Sequence, residues 1–350
     1  MEDKGFKFAV IWNFLKEKKG ELSNARLQIF YFAMSNGTRC AKWPLTITLA
    51  KNERWALASC YISCSVCSVM GNVLVIFAIL ATKRLRTQAN LLVVNLCFAD
   101  LLVGCLAVPC SAYGLWKELK DRGNCAFDMA VGFVVSFCCS ASILLLLLLS
   151  IDRYLRIVHF NKFKIWMAGR RTTVAVVCLW VFVAVLATLF ILDVKNGIID
   201  ICMVGIAFLS FIVMVCLYLL IFRTVAKQSS VIKAHNINRP SSHSESVQSG
   251  QDSKRKKKSS QTGNSINYHM HIAKSFLIIN VTFFVCWTPF MIVLVLRRSL
   301  YRKGEDMHTS IYHWCLLVGY INSLLNPIIY NARNRGIRGR IKELFRGSPQ

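Results

Sequence analysis

The chain is poor in acid and poor in interrupted apolar sequence. Its 350 residues hold 17 Asp and Glu against 43 Lys and Arg, and charged residues total 17 % against 55 % hydrophobic ones. Soluble domains carry roughly 25 % charge, so much of this chain has no ordinary water-facing surface. Six runs lack Asp, Glu, Lys and Arg altogether: Trp55–Thr82, Met129–Ile151, Thr172–Leu192, Ile201–Phe222, Ser275–Leu296 and Met307–Ala332. A seventh, Thr87–Trp116, contains one such residue, Asp100. Each is long enough to cross ~30 Å of hydrocarbon as a helix of about 20 residues. Buried core helices of a large soluble protein rarely produce seven such runs. The sequence therefore predicts an all-α membrane protein with seven transmembrane helices.

Two further absences narrow the function. No nucleophile–base pair or metal-ligand cluster stands at a plausible spacing, which argues against an enzyme. Within the runs, Asp100 is the one acid and no Lys or Arg joins it, whereas a channel or transporter is expected to line its path with several ionisable groups. No inverted internal repeat is visible. The surplus of 26 positive charges does not mark a nucleic-acid binder, because of where it sits. Lys83, Arg84 and Arg86 follow the first run, Arg153, Arg156, Lys162, Lys164, Arg170 and Arg171 the third, and Lys254–Lys258 the fifth. The opposite loops are short and mixed in sign. The positive-inside rule places the basic connections and the C-terminus in the cytoplasm and the N-terminus outside.

Residues 1–54 thus form an extracellular N-terminus, with Asn36 in an Asn-Gly-Thr glycosylation acceptor. Residues 1–33 carry six Lys and Arg, which fits an extracellular segment poorly, and translation from Met34 is the expectation that resolves this. Residues 226–270 are Ser-rich and nearly free of large apolar side chains, the composition of a disordered loop. Its Lys254–Lys258 cluster suits an anionic-lipid contact or kinase recognition, with Ser259 and Ser260 as candidate phosphorylation sites. In the tail, 331–350, Ile337, Ile341, Leu344 and Phe345 fall at helical spacing among Arg and Lys, which predicts a short amphipathic helix on the cytoplasmic membrane face.

Inside the spans, a lone carboxylate at membrane depth is a functional-site candidate. Asn322, Ser323 and Asn326 share one angular sector of the seventh helix, and Asn72 and Ser142 offer further polar company. Helix–helix hydrogen bonding would explain the same residues; the single carboxylate favours a cation or proton site. Pro289 and Pro327 interrupt late spans, where a missing N–H permits a kink.

These motifs, in this order, resemble the rhodopsin-like (class A) G-protein-coupled receptors: Gly71-Asn72, Asn95 with Asp100, Asp152-Arg153-Tyr154, Trp180, Tyr218, Phe283-Cys286-Trp287-Pro289, and Asn326-Pro327-Tyr330. The resemblance spans residues 55–346. It implies a receptor that converts extracellular ligand binding into activation of a heterotrimeric G protein, with arrestin and receptor kinases as partners, at the plasma membrane. Asp152, Arg153, Tyr154, Tyr218, Asn326, Pro327 and Tyr330 match the family's G-protein switch. Asp100, Ser142, Trp287, Asn322, Ser323 and Asn326 match its allosteric sodium pocket.

Departures from the family pattern place the chain nearer the melanocortin, adenosine, cannabinoid and lysophospholipid branch. Ser210 stands where the fifth helix usually has proline, Asp128 where the third usually has cysteine, and the second outer loop is minimal. A Cys125–Cys202 bridge remains an open alternative to the usual disulfide. Val135 stands where amine receptors hold an aspartate, and no lysine for retinal lies in Met307–Ala332. Val135, Cys139, Trp287, Phe290, Leu294 and Tyr320 would form a mainly apolar ligand pocket, suiting a lipid or small hydrophobic ligand. The alternatives to a ligand-driven receptor are an ion channel or transporter, or a constitutively active receptor. The acid that many relatives place at the start of the sixth helix is His269 here, so the restraint on Arg153 is expected to rest on Asp152 alone and basal signalling to be raised.

Overall fold

The computed structural model describes residues 49–117, 125–159, 169–192, 198–237, 274, 276–296 and 309–346. Seven long helices form the bundle: α1 (Lys51–Ala81), α2 (Gln88–Leu102, continuing through a π-helical turn Val103–Ala107 into Val108–Lys117), α3 (Cys125–Val158), α4 (Gly169–Leu192), α5 (Ile198–Ile237), α6 (Phe276–Leu296) and α7 (Thr309–Arg333). A short helix α8 (Arg335–Arg346) follows. α3 packs against α2, α4 and α5, and α1 packs against α2 and α7.

The helices α1 to α6 are largely apolar on all sides, and partner contacts rather than polarity decide which side faces inward. On α1, Leu57, Tyr61, Ser68 and Asn72 are buried at intervals of four and seven residues, the spacing of one helical face. The opposite face exposes Val66, Met70, Val73 and Phe77. α4 exposes Val174, Val177, Val181 and Val185, and α5 exposes Phe208, Leu209 and Ile212. An outer belt this apolar is stable only in lipid. Among the described residues, six helices are long and apolar enough to cross a membrane. α7 spans the same bundle with a more polar sequence, because His313, Asn322, Ser323 and Asn326 lie on its inner side and are buried.

Three boundaries differ from the sequence reading. α1 begins at Lys51, so residues 51–54 belong to the bundle and not to the N-terminal segment. α5 runs to Ile237, so residues 226–237 are helical and not part of a disordered loop. That stretch contains Ala, Lys and Gln, strong helix formers that continue a helix past the membrane edge where apolarity stops. At the tail, α7 continues to Arg333 and Asn334 separates it from α8. The Asn334 Oδ1 accepts from the backbone N–H groups of Gly336 and Ile337 (3.0 and 3.2 Å) and starts α8 as a cap. Ile337 is fully buried, and Gly336 lies against Leu85 of the α1–α2 connection, so closely that a Cβ there would meet Leu85 Cδ2 at 2.8 Å.

Met34, Asn36, Lys254–Lys258, Ser259, Ser260 and His269 lie outside the described residues. The Cys125–Cys202 bridge is not formed: Cys202 is a free thiol. α5 starts at Ile198, so Cys202 sits a turn inside a helix, and its side chain is exposed while its neighbour Met203 accepts from Ser136 of α3.

Candidate functional site

A polar centre lies where α1, α2 and α7 meet. Asp100 is completely buried. One carboxylate oxygen accepts from the Ser323 hydroxyl and the other from Asn326 Nδ2, both at 2.8 Å. The α7 spacing is what makes this possible, since residues three apart project from one side of a helix. Pro327 explains the third member. Proline has no N–H, so the carbonyl of Ser323, four residues earlier, loses its helical donor. Asn72 Nδ2 from α1 fills that position at 3.0 Å, and also donates to the Ser68 carbonyl at 2.9 Å. Gly71 allows the approach: a Cβ there would lie 3.0 Å from Pro327 Cβ and Cγ. The Gly71-Asn72 pair is therefore a receptor for the α7 proline kink.

α2 changes pitch directly after Asp100. The π-helical turn Val103–Ala107 re-aims the rest of the helix, and its loosened backbone is held from α1 by Ser65, whose hydroxyl donates to the Gly104 carbonyl at 2.7 Å. The Oδ1 atoms of Asn72, Asn322 and Asn326 are buried and accept no hydrogen bond from the described residues. Ser142 of α3 is buried as well. Carboxylate plus neutral oxygen acceptors, with Asp100 carrying the one negative charge, is a donor set that fits a hard cation.

On the side toward the N-terminus of α1, an aromatic group follows. Trp287 packs edge-on against Tyr320 (ring centroids 6.3 Å) and Phe290 (5.9 Å), with Phe283 at 6.2 Å. Gly319 provides a flat floor for the indole, since a Cβ would meet Trp287 Cε3 at 3.0 Å. Tyr320 hydrogen-bonds Ser111 at 2.8 Å, tying α7 to α2 beyond the π turn. Val135, Cys139, Phe290 and Tyr320 are buried in the same core, and Leu294 packs against it.

At the opposite end Asp152 is fully buried, and Arg156, one turn later, grips it with two hydrogen bonds of 2.8 and 3.0 Å. Arg153 lays its guanidinium 4.3 Å above the Phe276 ring of α6, a cation–π contact. Tyr154 contacts His159 through its hydroxyl at 3.2 Å. Tyr218 and Tyr330 are buried. Asn280 of α6 donates to Ser150 of α3 at 3.1 Å, a tie between these helices.

This order of parts along seven helices is matched by the model of the seven-transmembrane receptors of the rhodopsin family, over residues 71–199 and 191–330. The chain belongs to that family. Similar proteins include the dog histamine H2 receptor, 27 % identical over 81 % of this chain and 77 % of that protein. A medaka alpha-1A adrenergic receptor is 25 % identical over 79 % of this chain and 64 % of its own length. The human alpha-1D adrenergic receptor is 26 % identical over 80 % of this chain, which spans about half of that protein (54 %). These relatives are histamine and adrenergic receptors, whereas the motif departures resemble a different branch of the family.

Sequence reasoning on this rhodopsin-family receptor passed over several residues of the site. Arg156 was read only as a cytoplasmic charge, Ser150 and Asn280 were not singled out, and His313 lies in a run defined by the absence of other charges. His313 accepts the Tyr61 hydroxyl on its backbone carbonyl at 2.9 Å. Near it, Glu53 of α1 accepts from Ser310 and from Trp314 Nε1 of α7, the latter at 3.0 Å. A polar residue in an otherwise apolar run was the available signal for Asn280 and His313.

Proposed function

We propose that this receptor converts binding of an extracellular, mainly apolar ligand into activation of a heterotrimeric G protein, from the plasma membrane with its N-terminus outside. The observation that carries this reading is that α7 takes part both in the aromatic group of Phe290, Trp287 and Tyr320 and in the polar centre of Asp100, Ser323 and Asn326. An agonist that binds the open bundle better than the closed one shifts the balance by its differential affinity. Trp287 and Phe283 repack beneath it, the Pro289 kink swings α6 outward, and Arg153 leaves the Phe276 ring to meet the G protein. Tyr218, Asn326 and Tyr330 then hold the opened end. Sodium at Asp100, with Ser142, Asn322, Ser323 and Asn326 around it, favours the closed state. Arrestin and receptor kinases act on the same opened face and on the basic third connection.

The names of the relatives favour an amine ligand instead. Against this stands Val135, a buried apolar side chain where a protonated amine would need a carboxylate. Surface expression with a panel of G-protein activation reporters, screened against lipids, nucleosides, amines and peptides, separates the two readings. Activation by lipid-like ligands supports the first, and potent activation by histamine or an adrenergic amine overturns it. Current through the purified protein in a bilayer would revive the channel alternative.

A further inference from the structure

Arg54 lies on the inward stripe of α1, one turn before Leu57 and Ala58 and two turns before Tyr61, all buried. It is 5 % exposed. A cation near a helix end normally extends its head to water, and this one does not. Its guanidinium makes one long bond, from a terminal nitrogen to the Leu49 carbonyl at 3.4 Å, and its Nε has no partner. Among the described residues no carboxylate pairs with it. The adjacent acid, Glu53, is turned to α7 and occupied by Ser310 and Trp314, as expected for neighbours that point to different sides of a helix. A guanidinium is always charged, and a buried charge without a counter-ion is strongly unfavourable. The structure holds such a charge at the end of the bundle where α1 begins.

What lies below Arg54 completes the site. Tyr61 follows about 10 Å further along the axis, its ring 6.1 Å from Tyr320, which in turn stands 6.3 Å from Trp287. A buried charge two turns before a chain of aromatic rings in an apolar core suits one class of molecule. We propose that Arg54 is the anion anchor of the ligand site and that the ligand is an amphiphilic anion, a carboxylate or phosphate ester on a hydrocarbon chain. The guanidinium fork matches either headgroup through two parallel hydrogen bonds. This proposal rests on the apolar-pocket reading above and adds the charge that Val135 does not provide.

The test is thermal unfolding of the full chain in phosphatidylcholine nanodiscs, with oleate, 1-oleoyl lysophosphatidate, oleyl alcohol or inorganic phosphate added in excess. We expect one of the two lipid anions to raise Tm by about 5 °C, and oleyl alcohol and phosphate to raise it far less. Arg54→Gln should lose that gain, and Arg54→Lys should keep part of it. The two anions tell carboxylate from phosphate. No gain from either anion, or a gain that persists in Arg54→Gln, overturns the anchor. Should Arg54→Gln fail to fold, the wild-type comparison decides: equal gains from the alcohol and the anions overturn the anchor while leaving the apolar pocket standing. An equal, Arg54-dependent gain from inorganic phosphate does the reverse. Because no signalling is measured, neither result depends on G-protein coupling.

Discussion

Asn72 of α1 donates to the carbonyl of Ser323 at 3.0 Å, the acceptor that Pro327 leaves without a helical partner. The carbonyl freed by Pro327 is thus satisfied by another helix. Replacing Asn72 by Leu removes the donor and leaves a buried carbonyl unsatisfied, at a cost of about 1–3 kcal/mol. Thermal unfolding of Asn72→Leu should show the loss. A variant as stable as the wild type would mean that the kink does not need this partner.

Gly71→Ala attacks the same joint sterically. Its Cβ would press on Pro327 at 3.0 Å, and α1 and α7 must move apart, with a cost of about 1–3 kcal/mol. Gly319→Ala pushes instead on the Trp287 indole. The expectation is that Gly319→Ala alters basal G-protein activation more than Gly71→Ala does, since only the first displaces the Trp287 indole. Reporter assays at matched surface expression compare them.

Asp100→Asn keeps the shape of the polar centre but removes its charge. Sodium should then no longer affect basal activation or agonist affinity, whereas potassium controls stay unchanged in both proteins. Sodium sensitivity that survives the substitution would place the ion elsewhere.

The grip of Arg156 on Asp152 bears on the switch. Arg156 is partly exposed and Asp152 fully buried, so deleting the arginine leaves a carboxylate without its fork, close to Arg153. Arg156→Ala is expected to lower basal activation several-fold, because the freed Asp152 carboxylate can then take up Arg153 and restrain it. His269→Glu, which adds an acid near the start of the sixth helix, should lower it. If neither variant moves the basal signal, restraint of Arg153 is not what sets it.

The seven spans were legible because lipid demands length and apolarity, and both are one-dimensional properties of a sequence. The partners of Asp100 were nearly legible, since Ser323 and Asn326 share a helical face. The π turn at Val103–Ala107 was legible only in part: Pro109, two residues beyond it, withdraws the N–H that the Cys105 carbonyl would take, but a proline alone does not say whether a helix bends, breaks or widens its pitch. The extension of α5 to Ile237 was missed because a helix need not end where its apolar run ends. Arg54 was placed outside the first span by its charge, and only the fold reveals that it is buried. The Arg156–Asp152 pair was hidden by the prominence of the neighbouring Arg153; its i, i+4 spacing was there to be read.

The polarity of α7 has a consequence for assembly. Its inner face carries His313, Asn322, Ser323 and Asn326, and of these His313 is bonded by Tyr61 of α1 and Ser323 and Asn326 by Asp100 of α2. A helix of this kind gains little by entering lipid alone. The first and seventh spans are thus held to one another and to α2 by buried polar bonds, and not by apolar packing alone.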